Sequence, residues 1–197
     1  MPTGTVTLIN AFEVPPEADE AFVAGWERAR DFLAGQEGFS ATALHRALRA
    51  DAQLRFVNVA RVDSPETWKR AVADPDFPGG QMPFKAHPSL YEVVHEDGAP
   101  DGGEGVILIN AFEVPAEADE QFLAGWQRAR EALAGQAGYL GTRLHRSLGP
   151  ADFRFVNTAR WSSPLAFSKA VERPEFREAA ADIPFASHPA LYQVIRD

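Results

Sequence analysis

The chain has 197 residues, 45% of them hydrophobic, with a formal net charge of −9 and no cysteine, which is the make-up of a folded globular protein with room for one ordinary domain or two small ones. The acidic balance and the lack of any Lys/Arg-rich run exclude the basic footprint that nucleic acid or an anionic membrane surface requires, so neither is expected as a partner. Without cysteine there is no disulfide framework, thiolate nucleophile or iron–sulfur cluster. No stretch nears the roughly 18 consecutive apolar residues of a membrane span. The opening MPTGTVTLINAF lacks the basic start and apolar core of a signal peptide, and a cytoplasmic location is expected.

TVTLINAFE, residues 5–13, alternates with a period of two and predicts a strand. Phe22, Trp26, Ala29 and Leu33 then recur at helical spacing, with Gly35 and Gly38 as the stop. FSATALHRAL and LRFVNVARV predict two strands joined by a short turn. In SPETWKRAVADPDF, Ser64 is placed as an N-cap, Pro65 at the first helical position and Glu66 in the first turn, so a second helix is expected. After a proline-rich loop, SLYEVV (89–94) is expected to close the unit as a strand. HEDGAPDGGEG, His95 to Gly105, reads as an exposed linker.

The same series then begins again. LINAFEVPPEADEAFVAGWERARDFLAGQEG, from Leu8, returns as LINAFEVPAEADEQFLAGWQRAREALAGQAG, from Leu108, and LHRAL, RFVNVAR and MPFKAHPSLYEVV return as LHRSL, RFVNTAR and IPFASHPALYQVI. The predicted organisation is repeat 1 over 1–95, a linker over 96–105 and repeat 2 over 106–197. Each repeat reads βαββαβ, the split βαβ or ferredoxin-like arrangement, giving an α+β protein. One such sheet leaves a bare face, so the two repeats are expected to cover one another.

The strand asparagine of LINAFEV, the FVNxAxW strand and the closing HPxLYxV together resemble the antibiotic biosynthesis monooxygenase superfamily. The resemblance covers nearly everything outside the linker. It implies that the two ferredoxin-like repeats pack as an intramolecular dimeric α+β barrel, with a homodimer of the whole chain left open. It also implies work on small aromatic molecules and dioxygen without a cofactor.

Asn10, Asn58, Asn110 and Asn157 each sit within an apolar strand, where an unpartnered amide costs free energy. A bond to a neighbouring loop or a buried water is one reading. In quinone-forming members of the superfamily, matching Asn and Trp positions line a cavity between sheet and helices. The resemblance therefore implies catalytic roles for Asn157, Trp161 and Asn110, and substrate-binding roles for Asn10, Asn58, Trp68, Phe112 and Phe167. The N-x-x-x-W pattern is complete in repeat 2 but broken in repeat 1, where Val62 follows Asn58 and an indole stands instead at Trp68. Repeat 2 is therefore expected to be the active half.

His145, in LHR, is the candidate general base, whereas His87 and His188 read as loop anchors. No metal-ligand spacing occurs. Arg55, Arg61, Arg154 and Arg160 fall on the face opposite the asparagines and are expected to pair with carboxylates across the halves, Glu13 and Glu113 first.

The resemblance implies an expected function: cofactor-independent oxidation of a phenolic, anthrone-like or polyketide-type aromatic by O2 to a quinone. Haem binding or degradation is a rival, since such relatives share a strand Asn and a Trp before a helix, yet FREAAAD lacks the histidine they place there. A non-catalytic pseudo-dimer that binds a small molecule is the third alternative.

Overall fold

The computed structural model describes residues 6–100 and 103–197. Thr5, at the head of the first expected strand, and Asp101 and Gly102, within the expected linker, lie outside the described residues. The chain divides into two compact units, one running to Glu92 and taking in Val194–Asp197, the other Val93–Gln193.

In the first repeat, β1 (Val6–Glu13) leads through a 3-10 turn into α1 (Asp19–Ala34), followed by β2 (Phe39–Ala47), β3 (Phe56–Val62), α2 (Pro65–Ala73) and β4 (Lys85–Gly98). In the second, β5 (Val106–Glu113) and α3 (Asp119–Ala134) precede β6 (Tyr139–Ser147), β7 (Phe155–Trp161), α4 (Pro164–Val171), α5 (Pro174–Ala181) and β8 (Ala186–Arg196). Both are βαββαβ units, as expected; the second helical segment of repeat 2 is split in two, with Pro174 opening the new helix. Strands pair antiparallel in the order β4-β1-β3-β2 in one and β8-β5-β7-β6 in the other.

Period-two alternation decides which side chains meet the helices. Phe12, Leu44 and Phe56 pack with Phe22 and Trp26 of α1, and Phe22 stacks on Phe56 at 4.4 Å between ring centroids. Phe122 repeats the stack on Phe155 at 4.3 Å. Ile9, Ala11 and Val57, on the opposite face, are buried as well. Ser64 and Ser163 cap α2 and α4 by accepting from the backbone N–H of Thr67 and Ala166, each cap worth about 1 kcal/mol.

Three expectations are corrected. The closing strand does not begin at Ser89: β4 starts at Lys85, and Pro88 lies within it opposite Asn10, as Pro189 of β8 lies opposite Asn110. His87 and His188 are therefore strand residues, bonded through Nε2 to Glu13 and Glu113. β4 also runs on to Gly98, so the first part of the segment read as linker is ordered strand, held by an Arg143–Glu96 pair at 2.6 Å.

Nor does Arg55 reach Glu13. It forks onto Asp19 at 3.0 and 2.6 Å, and Arg154 onto Asp119 at 2.9 and 2.6 Å. Each aspartate opens a helix, where the macrodipole favours a carboxylate and the planar guanidinium takes both oxygens. Arg55 also donates to the Ala47 and Arg49 carbonyls, fastening the β2–β3 turn within its own repeat.

Candidate functional site

Each repeat holds a cavity between its helices and the helix-facing side of its sheet, about 580 Å³ in repeat 1 and about 450 Å³ in repeat 2. Asn10, Asn58 and Trp68 line the first. Asn110, Asn157, Phe112 and Phe167 line the second.

The asparagines are direct cross-strand neighbours: Asn10 faces Asn58, and Asn110 faces Asn157. Side chains paired in this way stand about 5 Å apart at Cβ, so each cavity has two carboxamides side by side in an otherwise mostly apolar wall. Asn58 Oδ1 accepts from Trp26 Nε1 at 3.1 Å and from the Thr42 hydroxyl at 2.8 Å. An indole nitrogen only donates, so the acceptor is the amide oxygen, and the Nδ2 hydrogens are left for a ligand. In repeat 2 the Thr142 hydroxyl lies 2.8 Å from Asn157 Oδ1 and 3.0 Å from the Thr158 carbonyl; its single proton serves one of them at a time. Asn10 and Asn110 each bury Oδ1 without a hydrogen-bond partner among the described residues, which costs about 1–3 kcal/mol.

The threonines and Trp26 were not singled out as amide partners in the sequence. The signal was there: Thr42 and Thr142 recur two residues before Leu44 and Leu144, and alternation puts each on the asparagine face of its sheet.

Trp161 is fully buried and does not line the cavity. It packs edge-on to Tyr139 and Phe167, at 5.4 and 5.5 Å, and these two do line it. Its Nε1 has no hydrogen-bond partner among the described residues. In repeat 1 Val62 takes the strand position, fully buried, and the indole is supplied from the helix side by Trp68, edge-on to Phe39 at 6.5 Å and to Phe77 at 6.2 Å. Volume lost from the strand is returned only in part on the helix, where Trp68 stands in place of Phe167, and of Trp161 and Trp68 only Trp68 meets its cavity.

His145 does not reach the cavity. It lies on the opposite face of β6 from Thr142, buried, with Nδ1 3.1 Å from the Val156 carbonyl. Odd and even positions of a strand face opposite ways, and Thr142 holds the cavity side. His45 makes the same contact with Val57, and burial pushes its imidazole below the usual range. No histidine lines either cavity among the described residues. Among them, too, no three His, Asp or Glu side chains converge as a metal site.

The titratable groups that do line the second cavity are Arg130 and Tyr139. Arg130 Nη1 reaches Asp97 Oδ2 at 2.5 Å, the Tyr139 hydroxyl donates to Asp97 Oδ1 at 2.7 Å, and His95 Nε2 stands 3.3 Å from Oδ2. Burial opposes the charge on Asp97, but the bonds from Tyr139, His95 and Arg130 prevail and hold its carboxyl below the usual range. Burial and then the Asp97 carboxylate raise the Tyr139 phenol well above its ordinary value, so it remains a neutral donor.

A family model described as antibiotic biosynthesis monooxygenase matches residues 5–78 and again 105–182. No curated protein sequence matches the chain. Among solved structures, an anthrone oxidase-like protein superposes with a TM-score of 0.80 at 16% identity, over 98% of this chain and 92% of its own. An uncharacterised ferredoxin-fold protein related to antibiotic biosynthesis monooxygenases, from Listeria monocytogenes 4b F2365, gives 0.56 at 15% identity, covering 98% of this chain and 96% of its own. A monooxygenase-like protein from Listeria innocua gives 0.54 at 13% identity, covering 98% and 96%. These likenesses establish a shared fold, and the paired matches of the family model account for most of the sequence: the chain belongs to the antibiotic biosynthesis monooxygenase family, with one copy of the domain in each repeat.

Proposed function

We propose that the protein is a cofactor-independent monooxygenase that converts a flat, electron-rich phenolic or anthrone-like substrate to a quinone with O2. The observation that carries this reading is the pair of adjacent carboxamides in the wall of each mostly apolar cavity. The name of the anthrone oxidase-like structural relative supports the same substrate class.

An anthrone loses a proton from carbon to give an enolate. The carbanion carbon transfers its electron pair to O2 as a C–O bond forms, and protonation gives a hydroperoxide. Loss of water, with the remaining hydrogen of that carbon leaving as a proton, breaks the O–O bond and yields the quinone carbonyl. The protein's part is to seat the ring system, exclude bulk water and donate to the developing oxyanion. Asn58 and Asn157 are the proposed donors, with Asn10 and Asn110 beside them. With no histidine among the described residues of either wall, the proposed substrate is one acidic enough to ionise without a histidine base.

Oxygen uptake and quinone absorbance with dithranol test this. Removing one oxyanion donor costs about 100-fold or more in its own cavity. Asn58→Ala and Asn157→Ala are each expected to remove roughly half of the turnover, and the double variant nearly all of it. Turnover at the buffer rate in the parent, or an undiminished rate in the double variant, overturns the assignment.

A further inference from the structure

The two cavities are not chemically equivalent, and the difference lies at Arg30 and Arg130, which occupy the same place on the first helix of each repeat. In repeat 1, Arg30 spends Nε and Nη2 on the adjacent Asp31, at 3.0 and 2.8 Å, and lies over the Trp26 ring at 5.5 Å. In repeat 2 the residue after the arginine is Glu131, and it is engaged elsewhere, accepting from Gln127 Nε2 at 2.7 Å. Arg130 turns instead to Asp97 with Nη1, its side chain 17% exposed against 29% for Arg30. That leaves Nε of Arg130 buried with no acceptor among the described residues. A buried cationic N–H without an acceptor carries a desolvation cost that an oxygen from a ligand relieves. Beside it Tyr139 stands where repeat 1 has Phe39, its hydroxyl already donating to Asp97.

We infer that the cavity of repeat 2 contains a subsite for a carboxylate borne by an aromatic ligand, centred on Arg130 Nε, and that the cavity of repeat 1 takes the uncharged counterpart. The tandem chain thus holds two cavities of different selectivity. This rests on the reading that both cavities bind flat aromatics, but not on turnover.

Calorimetric titration of the intact chain with anthracene-2-carboxylate and with the neutral anthracene-2-carboxamide separates the two. The carboxylate is expected to bind one site per chain about tenfold or more tightly than the other, and the carboxamide to bind both alike. Arg130→Gln should abolish the tight class for the carboxylate and leave the carboxamide unchanged. Arg130→Lys keeps a cation for Asp97 and removes Nε; it too should weaken the carboxylate selectively, with an unchanged melting temperature showing that the fold is intact. Arg30→Gln should leave the tight site as it was. Equal affinity of the carboxylate for both sites, or a tight class that survives both Arg130 variants, overturns the subsite alone. Absence of binding by either probe overturns both the subsite and the aromatic reading of the cavities.

Discussion

Asn58 and Asn157 are the residues on which the proposed chemistry turns, and their neighbours decide how each amide is presented. Trp26 fixes Asn58 as a donor toward the cavity, while Thr142 leaves Asn157 with two arrangements of one proton. Trp161 is different in kind: it is packed behind cavity-lining rings and buries an unpaired N–H. Trp161→Phe removes that orphan donor and retains most of the ring, so stability should change by less than about 1.5 kcal/mol and dithranol turnover by less than about twofold. Trp161→Val, the residue of repeat 1, should cost about 3 kcal/mol through the space it leaves. Melting curves beside oxygen uptake check this; a Trp161→Phe protein that melts normally but has lost turnover would show that the indole takes part in the reaction.

At the scale of elements, the strands and helices were legible in the sequence because alternation, helical spacing and serine caps agreed with one another in both copies. The asparagine pairs followed from strand register once β1 met β3. Apart from the extra helix that Pro174 opens in repeat 2, what was not legible arose between elements. Pro88 and Pro189, which precede the expected closing strands, lie inside β4 and β8, and the acidic run after SLYEVV continues as strand because Glu96 and Asp97 meet arginines far along the chain. No local pattern announces such partners. The fit of that strand tail depends on Gly141, where repeat 1 has Ala41. A Cβ at Gly141 would sit 2.6 Å from both Ala99 N and Asp97 O, at φ +155°. Gly141→Ala should therefore destabilise the protein by about 2 kcal/mol or more and loosen Asp97 from Arg130. A thermal melt reads the loss, and an unchanged midpoint would mean that the strand tail bears no such close approach.

For the molecule as a whole, duplication has preserved a scaffold and varied its lining. The aromatic stack, the helix-opening aspartates and the carboxamide pairs recur in both repeats, whereas Val62/Trp161, Trp68/Phe167, Phe39/Tyr139 and Asp31/Glu131 differ around the cavities. The broken N-x-x-x-W pattern of repeat 1 therefore does not by itself mark a dead half, since its cavity is the larger and its donor amide the more firmly oriented. The most direct measurement is a crystal structure of the chain soaked with 1,8-dihydroxyanthraquinone, a mimic of the proposed product. The account predicts one molecule in each cavity with an oxygen within about 3.2 Å of the Nδ2 of Asn58 or Asn157; occupancy elsewhere, or rings seated without an oxygen on either amide, would contradict it.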